Sequence, residues 1–272
     1  MTVGGTAGLE AAAVPRSESV PDRTPRAARG WSRRALGAQR LVGRLAALVW
    51  LPLVVLAMRF VLRWRIRDAG RCRNEYARLL EERRPLLVVA NHLTMVDSAV
   101  IGWGLGGVAA HALRHRGLPW NVPLQRRVES SWLWRALAYV TKCVPVPRGG
   151  DRQEVAHVLE RLAHLLRSGE TVLMFPESGR SRTGRVDPET AADGVGRLIK
   201  DVEGCRVLCV YARGDAQRTW SNLPARGDTF TIATRLVEPR TGLRGLRASR
   251  DLATQVVRHL AEMEQEYWAG RA

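Results

Sequence analysis

This 272-residue chain has almost no lysine, no paired cysteines and no long uncharged apolar run. Its four cysteines (Cys72, Cys143, Cys205 and Cys209) are too few and too scattered for a disulfide scaffold, and they lack the close pairs of a zinc site. No stretch of 18 or more uncharged apolar residues occurs, which excludes a polytopic membrane protein. There is no G-x-S-x-G segment, so a serine hydrolase has no support. Lysine supplies only Lys142 and Lys200 of the 43 basic residues, and the rest are arginine, a skew that genome composition can produce.

What is present is material for a core. Hydrophobic residues make up 46% of the chain, which rules out a wholly disordered protein. At roughly 100–200 residues per domain, the length fits one substantial domain with additions or two small ones. A formal net charge of +17 favours anionic partners: nucleic acid, anionic lipid headgroups, or phosphorylated substrates and carriers. Charge alone does not choose among them.

Residues 1–40 read as a disordered basic tail, rich in Ala, Gly, Pro, Ser and Arg without apolar periodicity. The first apolar stretch begins only near Leu41, which argues against a secretory signal peptide. Residues 41–67 read as an apolar membrane-associated helix with Arg flanks. Within it Leu45–Met58, LAALVWLPLVVLAM, would span about 21 Å as a helix, short of a ~30 Å hydrocarbon core. Pro52 should kink it. Arg40 and Arg44 precede it, and Arg59, Arg63, Arg65 and Arg67 follow, so the flanks assign no orientation. This pattern suits a re-entrant or interfacial helix on an anionic leaflet; a buried core helix and a full span are the alternatives.

Residues 76–268 alternate strand and helix signals. Leu86–Ala90 (LLVVA), Val144–Val146, Val172–Phe175 and Val207–Tyr211 read as buried strands, and Thr229–Leu236 as a more exposed one. Asp151 reads as an N-cap for a helix that carries Val155, Leu159, Leu162 and Leu166 on one face and closes at Gly169. A last helix is expected from Ser249. The fold class is α/β: a mixed sheet flanked by helices, preceded by the short apolar helix.

Three segments follow predicted strands, where α/β proteins place ligand sites. They are Asn91–Asp97 (NHLTMVD), Val144–Arg148 (VPVPR) and Phe175–Ser181 (FPESGRS). A hydroxyl attacking a thioester must lose its proton, and histidine, with a pKa near ~6.5, is the usual base at neutral pH. A carboxylate on the other ring nitrogen fixes the tautomer and stabilises the imidazolium. His92 in a loop and Asp97 in the first turn of a helix can meet if the chain folds back. Arg148 and Arg180 could hold a phosphate, and Glu177 could orient Arg180 or a substrate hydroxyl. Gly179 allows close backbone approach. His111 and His115 have zinc-compatible spacing but no third ligand nearby, so no metal is expected.

The order NH-x4-D, PVPR, FPE-x-x-RS resembles the glycerolipid (1-acylglycerol-3-phosphate, or lysophosphatidic acid) acyltransferase family, over about Leu86 to Gly214. The resemblance implies an acyltransferase domain across 76–268 and transfer of a fatty acyl group to a hydroxyl without an acyl-enzyme intermediate. It implies an acyl-CoA or acyl-carrier-protein donor as co-substrate, with no cofactor and no metal. His92 would be the general base and Asp97 its partner. Arg148, Glu177, Ser178, Gly179 and Arg180 would bind the acceptor, 1-acylglycerol-3-phosphate first among lysophospholipids, for phospholipid biosynthesis. It also implies work at an anionic membrane surface, on the cytoplasmic face, with no nucleic acid partner. The chain departs from the family pattern at Ser178-Gly179, where Gly-Thr is usual, and at Lys142, where the second block usually begins with glycine. The fourth block, Cys209–Gly214, lacks the family's usual proline. The second and third blocks are those that line the acceptor pocket, so the alternative acceptors are a different lyso-lipid, a glycolipid or a secondary-metabolite hydroxyl. An alternative of another class is a non-catalytic basic protein that binds anionic membrane or nucleic acid.

Overall fold

The computed structural model describes residues 32–147, 151–177 and 179–271. The tail through residue 31, Arg148 and Ser178 lie outside the described residues.

The first helix, α1 (Arg33–Leu56), starts where the Ser32 hydroxyl accepts a hydrogen bond from the Ala35 N–H at 3.1 Å. It therefore begins eight residues earlier than the pattern of apolar residues suggests, inside the stretch expected to be tail. The reason is tertiary. Gln39 donates from Nε2 to the carbonyls of Tyr139 (3.1 Å) and Cys143 (3.3 Å) and accepts from Arg161 at 2.6 Å, and Leu36 is buried beside it. Leu36, Gln39, Gly43, Ala47 and Leu51 form the buried stripe at helical spacing. Pro52 does not end the helix; its last turns widen into a π-helix, Ala57–Val61, where the Leu62 N–H bonds the Ala57 carbonyl at 2.9 Å. Arg33–Val61 is thus 29 residues rather than a short segment, long and apolar enough to cross a membrane, with only 22% of its most apolar stretch buried.

Six strands form one sheet: β1 (Arg65–Arg67), β2 (Leu86–Ala90), β3 (Trp120–Asn121), β4 (Thr171–Met174), β5 (Arg206–Gly214) and β6 (Thr229–Val237), in the order β1-β6-β5-β2-β4-β3. β5, β2, β4 and β3 are mutually parallel, β6 is antiparallel to β5, and β1 runs parallel to β6. Central β2 is covered on both faces, which is why it reads as a continuous apolar run. Leu87 and Val89 share a core with Val172, Val207 and Cys209 and with α7 (Arg152–Arg167), α8 (Asp193–Asp201) and α9 (Gly245–Ala269). Leu86, Val88 and Ala90 point the other way, into a core with α2 (Ala69–Glu81) and α3 (Asp97–Leu105). The fold is the expected mixed α/β sheet flanked by helices.

Other elements also differ from expectation: Arg65–Arg67, the end of the stretch expected to be apolar helix, pairs with β6 as strand β1, and β3 was not anticipated. Residues 143–146 make only isolated parallel bridges, Cys143 to Asn121 and Val146 to Leu124, because Pro145 and Pro147 have no N–H to extend the ladder. Helix α9 begins at Gly245, four residues before Ser249.

Where β4 begins, a buried ion pair joins several elements. Lys142 is fully buried and adopts φ 56°, the left-handed conformation that glycine favours. Its Nζ donates to the carbonyls of His115 (2.9 Å) and Leu118 (2.6 Å) and to Glu170 Oε2 (2.8 Å). Glu170 also accepts from Trp120 Nε1 at 2.9 Å and faces Arg40 on α1 at 3.3 Å. Burial pulls the Lys142 ammonium down to about 8, which still leaves it charged at neutral pH. Burial pushes the Glu170 carboxyl up, but the charge and hydrogen bond of Lys142 outweigh it and hold the group below its ordinary value. Lys142→Met should therefore destabilise the protein by about 3 kcal/mol, because it strips a buried carboxylate of its main partner. Glu170→Gln in the same chain should recover part of that loss. Urea denaturation of the three variants measures both effects, and a single variant as stable as wild type would refute the account.

Candidate active site

Because β2, β4 and β5 run parallel, the segments leaving Ala90, Met174 and Gly214 emerge at one edge of the sheet. Asn91 extends the ladder with its side chain: Nδ2 donates to the Ala212 carbonyl at 3.0 Å, and the Ala212 N–H donates to Oδ1 at 2.8 Å. The backbone is then free to turn, and His92 leaves the sheet.

Asp97, the first residue of α3, gathers this turn around its carboxylate. Oδ2 accepts from the Leu93 N–H (2.6 Å), the Thr94 N–H (2.7 Å) and His92 Nδ1 (2.9 Å), while Oδ1 accepts from the Thr94 hydroxyl. An ionised carboxylate only accepts, so the Nδ1 hydrogen points at Asp97 and Nε2 keeps its lone pair. The ring stacks on Phe175, with centroids 4.2 Å apart and planes 19° apart, and its side chain stays 21% exposed.

The segment after β4 is bound to this loop. The His92 carbonyl accepts from the Ser181 N–H at 2.9 Å, and Glu177 Oε1 receives the His92 N–H at 3.4 Å. Gly179 is half-buried between them in sequence. Arg180 donates from Nη1 to the Ser221 carbonyl (3.1 Å) and to Asn222 Oδ1 (2.9 Å), and its guanidinium lies 4.8 Å from the centroid of the Trp220 ring. The 220–222 segment closes back on the first loop, since the Ser221 N–H bonds the Leu93 carbonyl at 3.1 Å. Fully buried Arg213 fixes the far side, donating from Nη1 to the Gly184 carbonyl at 2.7 Å and to Glu264 Oε1 at 3.1 Å.

A histidine paired with a carboxylate, with its other nitrogen free, beside a loop that presents a glutamate and an arginine, is equipped to deprotonate a hydroxyl next to an anionic group. The family model described as Acyltransferase matches residues 71–236, a span that contains every one of these groups except Glu264. The chain belongs to the glycerolipid acyltransferase family. No curated protein matches it.

In this acyltransferase His92, Asp97, Glu177, Gly179 and Arg180 all lie at the sheet edge reached from β2 and β4; Arg148 and Ser178 fall outside the described residues. Glu177 contacts the backbone of His92, whereas the hydrogen bonds that orient Arg180 come from Ser221 and Asn222. Lys142 does not face this edge. Its ammonium is committed near the start of β4, so its departure from the family pattern concerns packing and not the acceptor pocket. Sequence reasoning missed Thr94, which lies inside the first motif, and Phe175, which lies inside the third. Nothing local could have found Asn222, which follows Arg180 by 42 residues.

Burial, reinforced by the negative charges of Glu264, Asp187 and Asp97, raises the Glu177 carboxyl from 4.5 to about 7, against the opposing His92 N–H. A carboxyl held above its unfolded value binds its proton more tightly when folded. Stability is therefore lost as pH rises from about 4.5 through about 7. Relative to Glu177→Gln, the wild type should be less stable at pH 8 than at pH 5 by up to about 3 kcal/mol. Paired denaturation curves at the two pH values check this, and an unchanged difference would contradict it.

Proposed function

We propose that the protein transfers a fatty acyl group from acyl-CoA or acyl-carrier protein to a hydroxyl of a lysophospholipid, with 1-acylglycerol-3-phosphate as the first candidate, in phospholipid biosynthesis. The observation that carries this reading is the 2.9 Å contact between His92 Nδ1 and Asp97, which leaves Nε2 open. The acceptor hydroxyl donates to Nε2 and loses its proton as its oxygen bonds the thioester carbonyl carbon. The tetrahedral intermediate then expels the thiolate, which takes the same proton from the imidazolium. Asp97 keeps its charge throughout and stabilises the imidazolium. Neither a cofactor nor a metal is needed for this sequence of steps.

Arg180 has Nη1 engaged, leaving Nε and Nη2 for an anionic group of the acceptor, with Arg148 as the second guanidinium. Glu177 and the backbone at Ser178 and Gly179 complete the acceptor side. The proposed location is the cytoplasmic face of the membrane; association with a membrane, lying along its surface, is supported by exposed apolar residues on two packed helices. These are Leu45, Leu48, Val49 and Leu53 on α1, and Trp132, Leu133, Trp134 and Leu137 on α6 (Trp132–Val140).

Labelled acyl-CoA, and acyl-carrier protein in parallel, should be offered with a panel of lyso-lipids to wild type, His92→Ala and Asp97→Asn. Both variants should lose about 10²–10⁴-fold in turnover with folding retained. His92→Ala within tenfold of wild type would overturn the mechanism. Turnover confined to another lyso-lipid, a glycolipid or a secondary-metabolite hydroxyl would keep the chemistry and reassign the acceptor. No turnover with either donor, alongside steeply salt-dependent binding that survives loss of His92, would indicate a binding protein instead.

A further inference from the structure

At the opposite edge of the sheet, where β2 and β4 begin, lies a cavity of about 720 Å³ between the first turns of α1, the end of α2 and residues 113–116. Five guanidinium groups line it, from Arg40, Arg44, Arg83, Arg114 and Arg116, against two carboxylates. Both carboxylates are already matched: Glu81 by Arg114 at 3.0 Å, and Glu170 by Lys142 and Arg40. Among the described residues, the side chains of Arg44, Arg83 and Arg116 have no carboxylate within ion-pair distance.

Two residues of its wall also carry a buried, unsatisfied polar atom. His115 is 8% exposed and lines the wall, and its Nε2 has no hydrogen-bond partner. Burial, with Lys142 nearby, pulls this imidazole down to about 4, so at neutral pH it is an uncharged ring able to donate from Nε2. Arg40 Nη2 is likewise buried and unbonded. Both atoms are closed off from solvent, so what the cavity itself presents is the unmatched positive charge of Arg44, Arg83 and Arg116. The rim is apolar. Leu41 and Leu113 are 61% and 79% exposed, and Leu41 continues along α1 into Leu45 and Leu48, the stripe assigned to the membrane.

We propose that this cavity binds the phosphate of an anionic phospholipid headgroup, its acyl chains lying along the Leu41–Leu45–Leu48 stripe, at a site separate from the one that contains His92. The proposal rests on the reading of α1 as a membrane-surface helix. A phosphate would receive the free guanidinium groups in fork geometry. It would fix the protein on anionic membrane without occupying the acceptor site.

The test compares Arg44→Gln/Arg83→Gln/Arg116→Gln with a charge-matched control at α9, Arg244→Gln/Arg247→Gln/Arg258→Gln. Binding of each full-length protein to phosphatidylglycerol and phosphatidylcholine vesicles is measured. Because each basic side chain near an anionic surface adds about fivefold in affinity, the cavity variant should bind phosphatidylglycerol vesicles about a hundredfold more weakly, while the control stays near wild type. Monomeric dihexanoyl-phosphatidylglycerol should raise the melting temperature of wild type saturably and leave the cavity variant unmoved. Acyl transfer to a detergent-dispersed acceptor should remain within twofold of wild type.

Equal losses in both triple variants would overturn the site in favour of diffuse surface charge. An equal shift with inorganic phosphate would overturn the lipid assignment in favour of a free-anion site. Collapse of detergent-phase turnover in the cavity variant would overturn it by placing these arginines in the reaction. Wild type that binds both vesicle types equally, and loses both on Leu45→Glu/Leu48→Glu, would also overturn the headgroup site while leaving α1 as the membrane element. None of the binding measurements requires turnover, so failure of the acyl-transfer reading would show separately, in the His92 variant.

Discussion

The parallel pairing of β2 with β4 on one side and β5 on the other is the constraint on which the site depends. Parallel strands need cover on both faces, and here α7, α8 and α9 supply one layer while α2 and α3 supply the other. The pairing also sends the exits of three strands to one edge. The loop that bears His92, the loop that bears Glu177 and the end of β5 at Gly214 meet there without a strand turning back. Had β4 run antiparallel to β2, Phe175 would leave at the far edge and could not stack on His92.

The two edges of this sheet differ in chemistry. At the exit edge a carboxylate organises a short loop and holds one imidazole by Nδ1. At the other edge a lysine and a glutamate are sealed into the interior, with unmatched arginines outside them. Helix α1 and the segment after it reach both. Its first turns line the cavity, and beyond its last turns Gly227 donates to the Leu62 carbonyl at 2.7 Å and Trp64 Nε1 to the Ala225 carbonyl at 2.8 Å. The segment so held also carries Ser221 and Asn222, which orient Arg180. The segment that follows the helix is thus joined by hydrogen bonds to the loop that orients Arg180.

Much of the fold was legible because burial on both faces leaves a plain trace: the short apolar run LLVVA fits a strand inside a covered sheet. The helix from Asp151 was equally plain, from an acidic cap, a 3.6-residue apolar repeat and a closing glycine at φ 73°. The start of α1 was not, because Gln39 is anchored by Tyr139, Cys143 and Arg161, a hundred residues and more away. Residues 143–146 misled because apolar residues between prolines read as a strand, whereas only residues with an N–H can extend a ladder.

By itself the sequence determined strands β2, β4, β5 and β6, the helix from Asp151, the segments after β2 and β4, and the choice of His92 and Asp97 as a pair five residues apart. Those features rest on local periodicity and on side-chain chemistry, which a linear chain displays directly. Only the tertiary structure decided that Asn222 and not Glu177 orients Arg180, that Phe175 backs the imidazole, and that Lys142 belongs to the interior. Each of these depends on a contact between segments remote in the chain. Nothing in the local sequence records which distant carbonyl, ring or carboxylate a side chain will meet.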